Sequence, residues 1–140
     1  MLIAISRHWA RYRLVYRALF FSVLLLGIYL GMRPAPPPVP FKFSMIDSVY
    51  HAGGLFVCTL LSYPAFPRWG RWWRAGFMFA VGLAVEYVQS FHSTRSPDIH
   101  DIYANTVGVG IGMLMVVLLG AAIDRAWAKT GTNQPTQRQK

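Results

Sequence analysis

An all-α membrane protein, a bundle of four transmembrane helices, is the fold this sequence predicts. Three observations predict it. The 140 residues are 54% hydrophobic and only 14% charged, where soluble domains carry about 25% charge. The apolar residues gather in four runs, each close to the roughly 20 residues that a helix needs to cross a bilayer. The basic residues fall in short pieces between those runs, which is how charge encodes membrane topology.

The first run covers residues 14–32 and follows Arg7, Arg11 and Arg13. A cleaved signal peptide is the rival reading. The run is long for a signal peptide's apolar region, ends in Gly-Met-Arg-Pro, and shows no A-x-A-like cleavage site, so an uncleaved helix is expected. The segment PAPPPVP at 34–40 excludes helix and favours extended polyproline II. It reads as a stiff linker. The second and third runs, 48–66 and 75–91, are shorter and carry His51 and Glu86. Between them PAFPRWGRWWR is basic and aromatic, and its Trp69, Trp72 and Trp73 suit a membrane interface. It reads as an anchor. The fourth run covers 103–123, and the polar tail from Thr130 reads as disordered. The predicted organisation is 1–33 for the basic N-terminus and first helix and 34–46 for the linker. A three-helix core takes 47–123 and a polar cytoplasmic tail 124–140.

Topology follows from the basic residues. Arg7, Arg11, Arg13, Arg17, Arg68, Arg71, Arg74, Arg125, Lys129, Arg138 and Lys140 fall on one side, and only Arg33, Lys42 and Arg95 on the other. That bias predicts both termini in the cytoplasm. Four of the five acids, Asp47, Glu86, Asp98 and Asp101, belong to the outer half. The formal charge of +9 does not indicate nucleic acid, because the basic residues do not cluster on one soluble face. Cys58 is the single cysteine, so no internal disulfide forms, and it reads as a small buried side chain.

The polar residues repeat one design. Positions three and four apart share a helix face. Asp47, His51 and Gly54 follow that spacing, as do Gly82, Glu86 and Gln89, and again Asp101, Asn105, Gly108 and Gly112. Each set puts polar groups toward the outer end and a glycine one turn deeper. Small residues let membrane helices approach, and polar side chains then bond across the gap. The three faces are therefore expected to converge in one outer polar cluster, with Gly54, Gly82, Gly108 and Gly112 as packing positions and no polar counterpart in the cytoplasmic half. Ser96-Pro97-Asp98 reads as a helix start, and Arg95 beside it suits pairing with Asp98 or Asp101 or clamping an anion. Asp47, His51, Glu86, Arg95 and Asp101 are the candidates for chemistry, with Asp47–His51 as an acid–base pair. Gln89, Asp98 and Asn105 are candidate binding or orienting groups. A metal set drawn from Asp47, His51, Glu86 and Asp101 has no HExxH-type spacing behind it, so no metal and no cofactor are expected.

The order Glu86-x-x-Gln89, Arg95, Asp101, Asn105, Gly108 and Gly112 resembles the VanZ-like family of small bacterial membrane proteins, whose pattern it matches without a gap. Asp47 and His51 match the family's Asp-Lys-x-x-His element, with Ser48 in place of the lysine. The resemblance covers about residues 47–112. It implies a multi-pass protein of the bacterial plasma membrane and a link to glycopeptide (teicoplanin) resistance. Three functions are then in play. One is an outward-facing site that binds or modifies an envelope lipid or lipid-linked cell-wall precursor. Another is a structural or partner-binding protein whose polar cluster only locks helix packing. The third is a proton-coupled or small-solute carrier. The residues mark no nucleophile and name no reaction.

Overall fold

A computed structural model describes residues 7–8, 10–33, 46–91 and 99–131, with side chains through 125 in the last stretch. The proline-rich linker, Lys42, His92, Arg95, the Ser96-Pro97-Asp98 start and the tail from 132 lie outside the described residues. Among the described residues four long helices form: α1 (Arg13–Gly31), α2 (Ile46–Ala65), α3 (Arg71–Gln89) and α4 (Ile99–Gly131). The architecture is all-helical, as the apolar runs predict. Two helices, Arg13–Gly31 and Ile99–Arg125, are long and apolar enough to cross a membrane. α2 and α3 fall short because they carry Asp47, His51, Arg71, Arg74 and Glu86.

Two boundaries differ from expectation. α4 runs on to Gly131, through residues assigned to the polar tail. The apolar signal stops at Ile123, but Arg, Ala and Lys are strong helix formers and prolong a helix already nucleated. α3 begins at Arg71, with Gly70 at its N-cap. Arg71 to Arg74 thus form a first helical turn and not a loop.

α2 is the central helix. It packs most extensively on α4, then on α1, and also touches α3, which lies mainly against α4. The direct contact between α1 and α3 is slight. The helices alternate in direction. At one end Ser48 of α2 bonds Asp101 of α4, and Gln89 of α3 bonds the Gly31 carbonyl of α1. At the other end Arg17 Nε of α1 donates to the Ala65 carbonyl of α2 at 3.2 Å.

The interior is mixed and the exterior apolar. Phe20, Leu24, Leu55, Cys58, Met78 and Val109 form the buried apolar cluster. Thr59, Ser62, Arg74, Glu86, Gln89, Asp101 and Asn105 are buried with them. Leu14, Leu25, Leu26, Tyr87, Tyr103, Val107, Leu114 and Leu118 face outward and are each more than half exposed. Near the Arg17 end, Phe66 stacks on Trp69 with ring centroids 4.4 Å apart, and Phe20 meets Phe66 edge-on at 5.2 Å.

Glycine sets the α2–α4 separation. A Cβ at Gly108 would run into the Ala52 backbone, its Cα standing at 2.8 Å, and one at Gly112 would meet Thr59 Cβ at 2.7 Å. Gly54 departs from its expected packing role: a Cβ there meets nothing within 4 Å. Gly108→Ala is expected to destabilise the purified protein by about 1–3 kcal/mol, because the obstacle is backbone and cannot rotate away. Gly110→Ala, in open space, is expected to be neutral or stabilising; thermal melting in detergent compares the two.

Candidate functional site

The polar residues gather where α2 and α4 begin and α3 ends. Asp47 lies in the first turn of α2 and Asp101 in the first turn of α4, where negative charge is favoured by the helix dipole. His51 is one turn into α2, and Glu86 is one turn from the end of α3. His51 Nε2 stands 3.3 Å from Glu86 Oε1, with their side chains 9% and 10% exposed. Ser48 Oγ donates to Asp101 Oδ1 at 2.6 Å. Ligand-capable atoms of His51, Glu86 and Asp101 all lie within 4.8 Å of one another. The three come from three helices, so no motif within one helix contains them all.

Asn105 sits one turn below Asp101 and is fully buried. Among the described residues neither its amide nitrogen nor its oxygen has a partner. It packs on Gly82, where a Cβ would meet the Asn105 amide at 2.8 Å and Leu55 Cδ1 at 2.9 Å. Gly82 therefore makes room for Asn105. Gln89 turns away from the cluster: its Nε2 donates to the Gly31 carbonyl at the end of α1. Arg95 and Asp98 lie outside the described residues.

Beside the cluster is a cavity of about 240 Å³ between α1, α2 and α3. It exists because α1 and α3 barely touch. Its walls are almost wholly apolar, among them Leu24, Leu26, Ile28, Leu55, Val81 and Val85. Asp47, Tyr50 and His51 line it too, as does Gly54, which explains why a Cβ added at Gly54 would meet nothing.

A second polar group occupies the opposite end, which the sequence reading left apolar. Arg74 is 2% exposed. Its Nη1 donates to Ser62 Oγ at 2.7 Å, and its Nη2 to the Phe66 and Trp69 carbonyls at 3.1 and 3.2 Å. Ser62 Oγ in turn donates to the Thr59 carbonyl at 2.6 Å. The guanidinium thus ties the end of α2 to the start of α3, where a cation also suits the carboxyl-terminal dipole of α2. Its place in a Trp-rich basic segment disguised it as an interface residue. The pair Thr59-x-x-Ser62, one polar face on an apolar helix, was the available signal. Trp72 and Trp73 are 90% and 64% exposed.

The sequence matches the VanZ/LLP1 family over residues 16–120. The chain belongs to the VanZ/LLP1 family. The match begins within α1, so it takes in all four helices and extends beyond the 47–112 segment that carries the motif. An uncharacterized protein of Schizosaccharomyces pombe is 36% identical over 107 residues, covering 72% of this chain. The chain spans 62% of that relative's length. No solved structure matches.

Arg74→Ala is expected to cost about 3 kcal/mol of stability, since it removes three hydrogen bonds that join Ser62, Phe66 and Trp69 and leaves a cavity where a buried side chain stood. Arg71→Ala, on an exposed side chain, is expected to stay within about 0.5 kcal/mol. Melting of both variants in detergent checks the contrast.

Proposed function

We propose that this VanZ/LLP1 protein is a multi-pass membrane protein of four spanning helices, both termini cytoplasmic. In this reading its polar end binds the headgroup of an envelope lipid or lipid-linked cell-wall precursor. The observation that carries the reading is the cavity between α1, α2 and α3. It is apolar along most of its walls and polar where Asp47, Tyr50 and His51 line it. A hydrocarbon chain fits such walls, and a headgroup fits such an end.

Spanning by α2 and α3 is supported by the distribution of their side chains. Their deeper polar groups, Thr59, Ser62, Arg74, Glu86 and Gln89, are buried in the bundle, while Val49, Val57, Leu83 and Tyr87 face outward. A helix can tolerate polar groups in lipid when they turn inward and bond there. The outward orientation of the site rests on the eleven basic residues assigned to the cytoplasmic side. Placement in a bacterial inner membrane rests on the resemblance, and similar sequence also occurs in a fungus. The glycopeptide-resistance label suits an envelope ligand.

One observation favours a second reading. His51–Glu86 and Ser48–Asp101 join three helices, as a packing clasp would. A clasp tolerates Glu86→Gln, because the amide still bonds to its neighbour. A stable Glu86→Gln protein that loses its envelope phenotype counts against the clasp.

The lipid reading is tested at Gly54, which lines the cavity in open space. Gly54→Leu fills the cavity and raises helix propensity by close to 1 kcal/mol. Mass spectrometry of the purified wild-type protein is expected to find one lipid class enriched over the bulk membrane. The variant is expected to lose most of it while melting no lower. Lipid content matching the bulk membrane in the wild type, or equal retention by the variant, overturns the reading.

A further inference from the structure

We propose that His51, Glu86 and Asp101 form a divalent metal site, taking a transition ion such as Zn²⁺ or Mn²⁺. Each of three helices contributes one ligand, and the ligand atoms lie within 4.8 Å of one another. In a shell with bonds of about 2.0–2.2 Å, tetrahedral neighbours stand about 3.3–3.5 Å apart. His51 Nε2 and Glu86 Oε1, at 3.3 Å, already span such an edge. Bringing the widest separation, at most 4.8 Å, to such an edge takes a movement of at most about 1.5 Å, within the reach of side-chain torsions. One imidazole with two carboxylates is a donor set for a divalent transition ion, since imidazole suits Zn and Fe and carboxylate suits Mn.

Charge favours the same conclusion. Glu86 is 8% and Asp101 7% exposed, and two carboxylates so close in a medium of low polarity repel. A divalent cation balances both. Ser48, which bonds Asp101 Oδ1, brings no charge. It holds the carboxylate in place, as residues behind metal ligands do.

Asn105 is the independent observation. Both atoms of its buried amide lack a partner among the described residues. Leaving such a group unbonded costs about 1–3 kcal/mol, and buried polar groups in native proteins are bonded to something. Asn105 stands one turn below Asp101 on α4, against Gly82, which is itself one turn below Glu86 on α3. The shell of an ion held by the three residues supplies the missing partner, as a coordinated water or through direct ligation by the Asn105 carbonyl oxygen. The site stands without the lipid reading. Where an anionic headgroup also binds, the ion is the positive centre it needs beside Asp47, Glu86 and Asp101.

The test uses the full chain carrying no polyhistidine tag, purified in detergent, stripped with chelator and dialysed against Zn²⁺ or Mn²⁺. Elemental analysis is expected to find about one ion per chain, falling to about one-tenth or less in His51→Gln, Glu86→Gln and Asp101→Asn. Asp124→Asn, an exposed acid near the other end of α4, is expected to bind as wild type, and Ser48→Ala about tenfold more weakly. Two measurements on wild type alone guard against misfolded variants. Added metal is expected to raise its melting temperature, and Co²⁺ is expected to give visible absorption bands distinct from those of the free ion. Stripped wild type that takes up no ion, or three ligand variants that bind as well as wild type, overturns the proposal. Lipid analysis of the same stripped samples separates the two readings, since enriched lipid without metal uptake refutes the metal site alone.

Discussion

The close approach of α2 and α4 is the constraint on which the other features depend. At Gly108 the hydrogen of a glycine faces the Ala52 backbone, and at Gly112 another faces Thr59. Apolar side chains give no hydrophobic drive between helices in lipid, so association there relies on close backbone packing and on bonds across the seam. Both are present in one line along α4. The glycines bring the axes together, and Ser48 and Asp101, two turns toward the start of α4, then come within 2.6 Å. A wider seam would leave these groups reaching across a gap.

Two polar groups flank the apolar middle of the bundle. At one end stand Ser48, His51, Glu86, Asp101 and Asn105; at the other, Thr59, Ser62 and Arg74. Leu55, Cys58, Met78 and Val109 fill the space between. The two groups differ in how completely their polar atoms are bonded. Arg74 is a closed arrangement, with three donor contacts to a hydroxyl and two carbonyls at the junction of α2 and α3. The opposite end gathers carboxylates, an imidazole and an unbonded amide beside a cavity. Closed polar networks fix a fold, whereas open ones next to a cavity are where ligands bind.

Much of the fold and part of the site were legible in the sequence. Apolar runs located the four helices, and three- and four-residue spacing put Asp47 with His51, Glu86 with Gln89, and Asp101 with Asn105 on shared faces. That spacing speaks only of one helix at a time. It put Gln89 and Glu86 on one face, yet Gln89 closes α3 onto α1 while Glu86 faces His51. It treated Gly54 like Gly82, although one lines a cavity and the other holds Asn105. It misread Arg74 because a charge among tryptophans looks interfacial until a partner helix covers it.

The sequence by itself determined the helical class, the residues able to carry charge within an apolar chain, and membership of the VanZ/LLP1 family. Those properties are local, set by hydropathy, periodicity and the order of rare polar residues. Only the tertiary structure decided which polar residues meet, where the cavity opens, and that Arg74 lies inside. Distances between side chains on different helices depend on axial rotation and separation. Here those were fixed by contacts such as Gly108 against Ala52, between residues 56 positions apart.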